Sequence, residues 1–263
     1  MHDKKFDTAR RWLRNLTPFG LIEWRRRRFL LGRHGLSHGR GTWEAFEACR
    51  YELWPHSLRR RDRPFVLVDV GANEGQFVNA VRRLVPLQSV YAFEPQAACK
   101  GELGRALAGI PQTSLHIAAV GGRDGETGFY VTNNSKMSST LRPREQIAAD
   151  YDAGDFGVAK GLTVPIVRLD SCVPPEVGVS LIKIDVQGAE MEVLKGGTAT
   201  LRRAEAVLME INYQDHYIGS ASFHDVYMQL RGLGYRLGAV SGPYIGASGP
   251  LWADALFVNE ELA

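Results

Sequence analysis

From residue 65 onward the apolar positions alternate between short unbroken runs and segments with a repeat of three or four. Phe65–Val70, FVLVDV, is nearly continuous and predicts a strand buried on both faces. Gln76–Leu84 puts Phe77, Ala80, Val81 and Leu84 on one helical face. The alternation continues with a strand at Val90–Phe93, a helix at Gln96–Leu107 and a third strand at Leu115–Val120. Thr127–Thr132 and Thr163–Val167 read as further extended segments, and the polar stretch Asn133–Lys160 between them has loop composition. Leu181–Val186 (strand), Ala189–Leu194 (helix), Ala206–Ile211 (strand) and Phe223–Leu233 (helix, ended by Gly234) follow. Tyr235–Ala239 and Ala255–Val258 are the last strands. Repeated strand–helix units predict an α/β fold with a mainly parallel sheet and helices on both faces.

Residues 1–63 read differently, as a basic and mostly helical extension before a main domain at 64–263. Trp43, Phe46, Arg50, Leu53 and Trp54 fall near a helical repeat that Pro55 ends. Gly32–Gly41 reads as a loop; its His34 and His38 have i,i+4 spacing, but the flanking glycines and the lack of nearby ligands argue against a metal there. Residues 1–64 hold 16 of the 32 Lys+Arg and 7 of the 29 Asp+Glu, a net +9 against −6 for the rest. Arg25–Arg28 and Arg59–Arg61 dominate this charge, which suits an anionic partner such as a membrane surface, a nucleic acid or a phosphorylated carrier, or simply a solvated face. No apolar run reaches the roughly 18 residues of a spanning helix, and no apolar signal core follows the charged first residues. Cys49, Cys99 and Cys172 are odd in number and scattered, as expected of reduced thiols in a cytoplasmic protein.

The chemistry begins at VLVDVGANEG, residues 66–75. A strand running into glycines is the usual ligand edge of a parallel sheet. Gly71 permits a sharp exit from the strand, and Gly75 is expected to let the backbone approach a ligand. The spacing is Gly-x-x-x-Gly, not Gly-x-Gly-x-x-Gly, and no Lys-Ser or Lys-Thr follows, which excludes a P-loop. Asp69 disfavours a pyrophosphate and suits an ammonium group. Glu94, in Phe93-Glu94-Pro95, ends the next strand 25 residues after Asp69, where an acid accepts hydrogen bonds from a ribose diol. A nucleoside with an amino-acid tail and no phosphate satisfies both acids: S-adenosylmethionine. The expected cofactor site is Asp69, Gly71, Asn73 and Gly75 at the methionine end, Glu94 at the ribose, and Ala119 and Val120 beside the adenine.

DVGANEGQF, AFEP, HIAAVGGRDGE, SKMSSTL, VRLDS and above all LIKIDVQGAEMEVLKGG followed by VLMEIN resemble the FkbM-family methyltransferases over roughly Val66 to Val258. The resemblance implies a class I methyltransferase Rossmann-like fold, with a seven-stranded sheet whose last strand is antiparallel. It also implies O-methylation, often of sugar or polyketide hydroxyls. Gln187 departs from the family, which usually has Glu there. In this fold the fourth strand ends beside the transferred methyl, which makes Asp185 the first candidate for the base or for orienting the acceptor hydroxyl. Alternation along a strand would point Lys183, Asp185 and Gln187 the same way. Lys183 either stabilises the substrate oxyanion or pairs with Asp185, and Glu190 supports either one.

His216 is a further candidate base because its reference pKa is near neutral. Ser138, Ser139 and Thr140 either line the acceptor pocket or cap a helix starting near Arg142. Glu210 and Asn212, with Asp185, lie where some O-methyltransferases hold Mg²⁺; that comparison is analogy, and no metal ligand is assigned. The expected acceptor is a small molecule or glycan. The rival readings are an RNA methyltransferase guided by the basic N-terminus, an NAD-dependent Rossmann oxidoreductase and a non-catalytic binding protein. The Asn/Asp-Pro-Pro-aromatic signature of amino-group methylation is absent, and the glycine spacing with Asp69 argues against NAD.

Overall fold

A computed structural model describes residues 64–83, 85–145, 156–241, 243–246 and 248–262. The expected N-terminal helices, the His34/His38 loop and the arginine clusters lie outside the described residues. The main sheet contains β1 (Phe65–Val70), β2 (Leu87–Phe93), β3 (Gln112–His116), β7 (Leu181–Ile184), β8 (Ala206–Asn212), β9 (Tyr235–Val240), β10 (Tyr244–Gly246) and β11 (Gly249–Asn259). Its order is β3-β2-β1-β7-β8-β11, and β9 and β10 both pair with β11. Trp252 of β11 pairs with Asn212 of β8 and with Tyr244 of β10, so β10 lies on the side of β11 away from β8, where β9 also pairs. The eight strands thus fill seven positions. β1, β2, β3, β7 and β8 run parallel, while β11 is antiparallel to its neighbours.

The apolar runs are buried on both faces because each face carries its own core. Leu67, Leu181 and Leu208 pack with α1 (Gln76–Val81) and α2 (Lys100–Leu107). Val68, Ile182, Val207 and Met209 pack on the opposite face with α4 (Glu190–Gly196), α5 (Thr198–Arg202) and α6 (Phe223–Gly232). Ser222 caps α6 through a reciprocal box with Asp225. For α5 the cap is remote: Asp170, in α3 (Leu169–Cys172), accepts from Ala199 and Thr200 N–H.

The expected third strand is two strands in different sheets. β3 stays in the main sheet, whereas β4 (Ala119–Val120) pairs with β6 (Val158–Val167), which also pairs with β5 (Gly125–Thr132). Phe129, Val164 and Ala119 form a small separate core, so this second sheet is an insertion between β3 and β7 with packing of its own. Residues 141–144 carry no helix, and Ser139 Oγ accepts Leu141 N–H at 3.0 Å.

The chain leaves β1 toward β2 and β3, then crosses back to β7 on the other side of β1. A ligand crevice is expected where strand order reverses in this way, at the carboxyl ends of β1 and β7. Gly71 marks that point. Its φ is +77°, and a Cβ would lie 1.9 Å from the carbonyl oxygen of Asp185. Gly71→Ala is therefore expected to cost several kcal/mol, roughly 3 or more, combining left-handed strain with backbone overlap. Urea unfolding of the variant tests this; a midpoint equal to the wild type's would show that the turn relaxes freely.

Candidate active site

Glu94 joins the glycine turn to the end of β2. Gly71 and Ala72 N–H both donate to Phe93 O at 3.0 Å, folding the turn back on the strand. Asn73, in the left-handed region at φ +47°, donates its N–H to Glu94 Oε2 at 2.9 Å, and Gln96 N–H donates to Oε1 at 2.8 Å. Each oxygen thus has one backbone donor and a lone pair to spare. Burial pushes the Glu94 carboxyl up and the two N–H groups pull it back. Gly75 plays a different part from the expected one: a Cβ there would lie 2.4 Å from Ala106 Cβ, so the glycine lets α2 pack against the turn.

Asp69 lies in β1, not in the turn. Its register partner is Lys183 of β7, and it is fully buried. Lys183 Nζ donates to Gly71 O at 3.0 Å and stands 3.3 Å from Asp185 Oδ2 and 3.8 Å from Asp69 Oδ1. The last distance is too long for a hydrogen bond. Neither Asp69 oxygen has a hydrogen-bond partner among the described residues. Burial therefore dominates, lifting Asp69 to about 6 against the opposing pull of Lys183, and it lifts the fully buried Glu190 to about 7.

Both acids are more readily protonated in the folded chain than in the unfolded one. Between about pH 4 and 7 the native state holds the extra protons, and stability falls as pH rises. Asp69→Asn is expected to remove its share, on the order of 2–3 kcal/mol. The wild type should thus lose more stability than the variant between pH 5 and pH 8 in urea titrations. Parallel losses would contradict this account of Asp69.

At the acceptor side β7 ends at Ile184, and Asp185 and Gln187 meet through a turn and not through strand pleating. Gln187 has φ +57° and donates its Nε2–H to Asp185 Oδ1 at 2.7 Å. Ser139 Oγ–H donates to Gln187 O at 2.7 Å, and Glu190 Oε1 accepts Gly188 N–H at 3.0 Å. The single Tyr217 hydroxyl proton is shared between two acceptors, Gln187 Oε1 and Met137 O, each 2.9 Å from the hydroxyl oxygen.

Part of this network, with Glu94 and the glycine turn, lines one open cavity of about 1210 Å³, a volume that includes its solvent-filled mouth. Of the sequence-predicted residues, Gly71, Asn73, Glu94, Ala119, Val120, Lys183 and Asp185 line it, as do Ser138, Thr140 and Glu210. Asp69, Gly75, Asn212 and His216 are not among the lining residues. His216 is buried, with its ring tilted against Phe156 at 6.3 Å. Gln76, Phe77, Gln96, Met137 and Trp252, not expected as site residues, add to the wall from four separate segments. Gln76 and Phe77 in DVGANEGQF, Met137 in SKMSSTL and Gln96 directly after Glu94-Pro95 carried a local signal; Trp252 carried none. Among the described residues no group of three or more His, Cys, Asp and Glu is arranged to hold a metal ion.

Residues 69–237, beginning at Asp69, match the Methyltransferase FkbM domain family. The chain belongs to the FkbM methyltransferase family. It carries a methyltransferase domain whose cofactor is S-adenosylmethionine. The chain is 27% identical over 172 residues to the 2-O-methyltransferase NoeI of Sinorhizobium fredii, covering 62% of this chain and 69% of NoeI. It is 32% identical over 159 residues to the methyltransferase sdnD of Sordaria araneosa, covering 51% of this chain and 60% of sdnD. Among solved structures, magnesium protoporphyrin IX methyltransferase (ChlM) from Synechocystis PCC 6803 aligns over 96% of both chains, with a TM-score of 0.44 and 12% identity.

Proposed function

We propose that this FkbM-family chain transfers a methyl group from S-adenosylmethionine to a hydroxyl of a small molecule or glycan. One observation carries the reading: Glu94 and Asp185, at the carboxyl ends of β2 and β7 on either side of β1, line the same cavity. The residues fit the cofactor. Glu94 has acceptor capacity left for a ribose diol, Ala119 and Val120 offer an apolar wall to an adenine, and Gly71 and Asn73 border the methionine end. The buried Asp69 carboxylate adds negative potential beneath that end, which favours a cationic ligand. Asp69 thus acts through Lys183 and Gly71 O, not by direct contact.

When bound, the cofactor supplies an electrophilic methyl on sulfur. The chain's task is to align the acceptor oxygen and to take its proton. Asp185 is the proposed group for that proton. It faces the cavity with its side chain 34% exposed, and Lys183 and Gln187 hold its oxygens. Lys183 keeps a positive charge near a developing oxyanion. His216 receives no role, since it lies outside the cavity lining.

NoeI is named as a 2-O-methyltransferase, which supports oxygen as the accepting atom. The division into a basic extension at 1–63 and a catalytic domain at 64–263 also stands as a proposal, as does contact of the extension with an anionic membrane surface. No helix among the described residues is long and apolar enough to cross a membrane. Label transfer from methyl-labelled S-adenosylmethionine to a panel of hydroxylated glycosides, polyketides and RNA tests the acceptor class. Label on RNA alone would reject the hydroxylated small-molecule reading.

A further inference from the structure

We infer that Gln187 and Tyr217 are positioning residues: a strap of hydrogen bonds from Tyr217 through the Gln187 side-chain amide holds the Asp185 carboxylate toward the acceptor end of the cavity. The inference rests on the reading of Asp185 as the group that faces the acceptor.

Three segments far apart in sequence meet at this strap. Tyr217 follows β8, Met137 belongs to the insertion, and Gln187 follows β7. Tyr217 is 1% exposed, and its ring fills the space over Gly188, where a Cβ would come within 2.9 Å of it. A residue needed only for packing would serve as well without a hydroxyl. Here the hydroxyl reaches two acceptors, Gln187 Oε1 and Met137 O. The amide has one sensible orientation, because an ionised carboxylate only accepts. Nε2 must face Asp185, and Oε1 then faces the tyrosine.

The backbone at 187 is held just as firmly. A non-glycine residue at φ +57° is uncommon, and the Ser139 hydroxyl clamps its carbonyl. Asp185 is faced by Lys183 from its own strand end, by Asp69 from β1 and by Glu190 from α4. Glu210 from β8 stands beyond Gln187, whose Nε2 lies 3.5 Å from Glu210 Oε1. An amide at 187 bridges two carboxylates without adding charge. A glutamate at this position would place another carboxylate between them.

The test uses the full chain in three variants. Tyr217→Phe keeps the ring over Gly188. Gln187→Asn tolerates a left-handed backbone but is one methylene too short for the bridge. Gln187→Glu has the reach but not the donor. Each is compared with wild type by calorimetry with S-adenosylmethionine and by carboxyl-carbon NMR titration of isotope-labelled aspartate, with Asp185→Asn assigning the Asp185 signal. Cofactor affinity is expected to stay within about twofold of wild type. The proton affinity of Asp185 is expected to rise about tenfold in Gln187→Glu, and less, in the same direction, in Gln187→Asn and Tyr217→Phe. An Asp185 signal and midpoint unmoved in all three folded variants would overturn the strap. The assignment of Asp185 to the acceptor would survive that result, because it is tested separately by the turnover of Asp185→Asn.

Discussion

Glu94→Ala is expected to lose most of its affinity for S-adenosylmethionine while keeping the fold. The proposed hydrogen bonds to a ribose diol would disappear, and Asn73 and Gln96 N–H would lose the acceptors that fix the turn beside it. The combined cost is about 2–4 kcal/mol, or roughly 30- to 1000-fold in Kd. Glu94→Gln should do little better. Both carboxylate oxygens already face N–H donors, so whichever position the new NH₂ takes, it meets a donor and not an acceptor. Calorimetry reads both variants. A Glu94→Gln protein that binds like the wild type would show that neither backbone donor matters to the site.

Asp185→Asn is expected to give the complementary result. The substitution keeps the shape and leaves Lys183 its bond to Gly71 O, so the cofactor end is undisturbed. It removes the group proposed to take the acceptor proton, and an amide there also turns a donor toward Gln187 or Lys183. A positioned proton acceptor contributes roughly 10²- to 10⁴-fold, and turnover is expected to drop by that order with cofactor affinity unchanged. Wild-type turnover would remove Asp185 from the proton's path.

What the sequence shows and what it hides follow from how far apart the deciding residues lie. β1, β2 and β7 are readable because a strand buried on both faces must be a continuous apolar run. Glu94 is readable because its position is set by the strand before it. Asp69 is expected at the methionine end of the cofactor, yet it pairs in register with Lys183, is fully buried and does not line the cavity. Gly75 looked like a ligand-facing glycine; only the path of α2 shows that Ala106 needs the space.

The strand expected at Leu115–Val120 divides because Ala119 and Val120 pair with β6, a partner more than forty positions on that local pattern cannot reveal. α5 escaped notice because its cap, Asp170, comes from another helix. β11 runs from Gly249 to Asn259, longer than the apolar Ala255–Val258 segment, since Pro250 and Asp254 interrupt the apolar pattern but not the ladder. Trp252 belongs to a segment with no catalytic signature, and only the fold brings it to the cavity; Tyr217 lies behind the lining and reaches it through Gln187 and Met137. Gln187 was visible as a departure from the family, but its role depends on Tyr217, thirty residues away.

The most direct test of the site as a whole is a side-by-side calorimetric titration of S-adenosylmethionine into the wild type, Glu94→Ala and Asp185→Asn. Binding lost in Glu94→Ala and retained in Asp185→Asn is the predicted result. The reverse pattern, with binding retained in Glu94→Ala and lost in Asp185→Asn, would place the cofactor at the wrong end of the cavity and contradict the account.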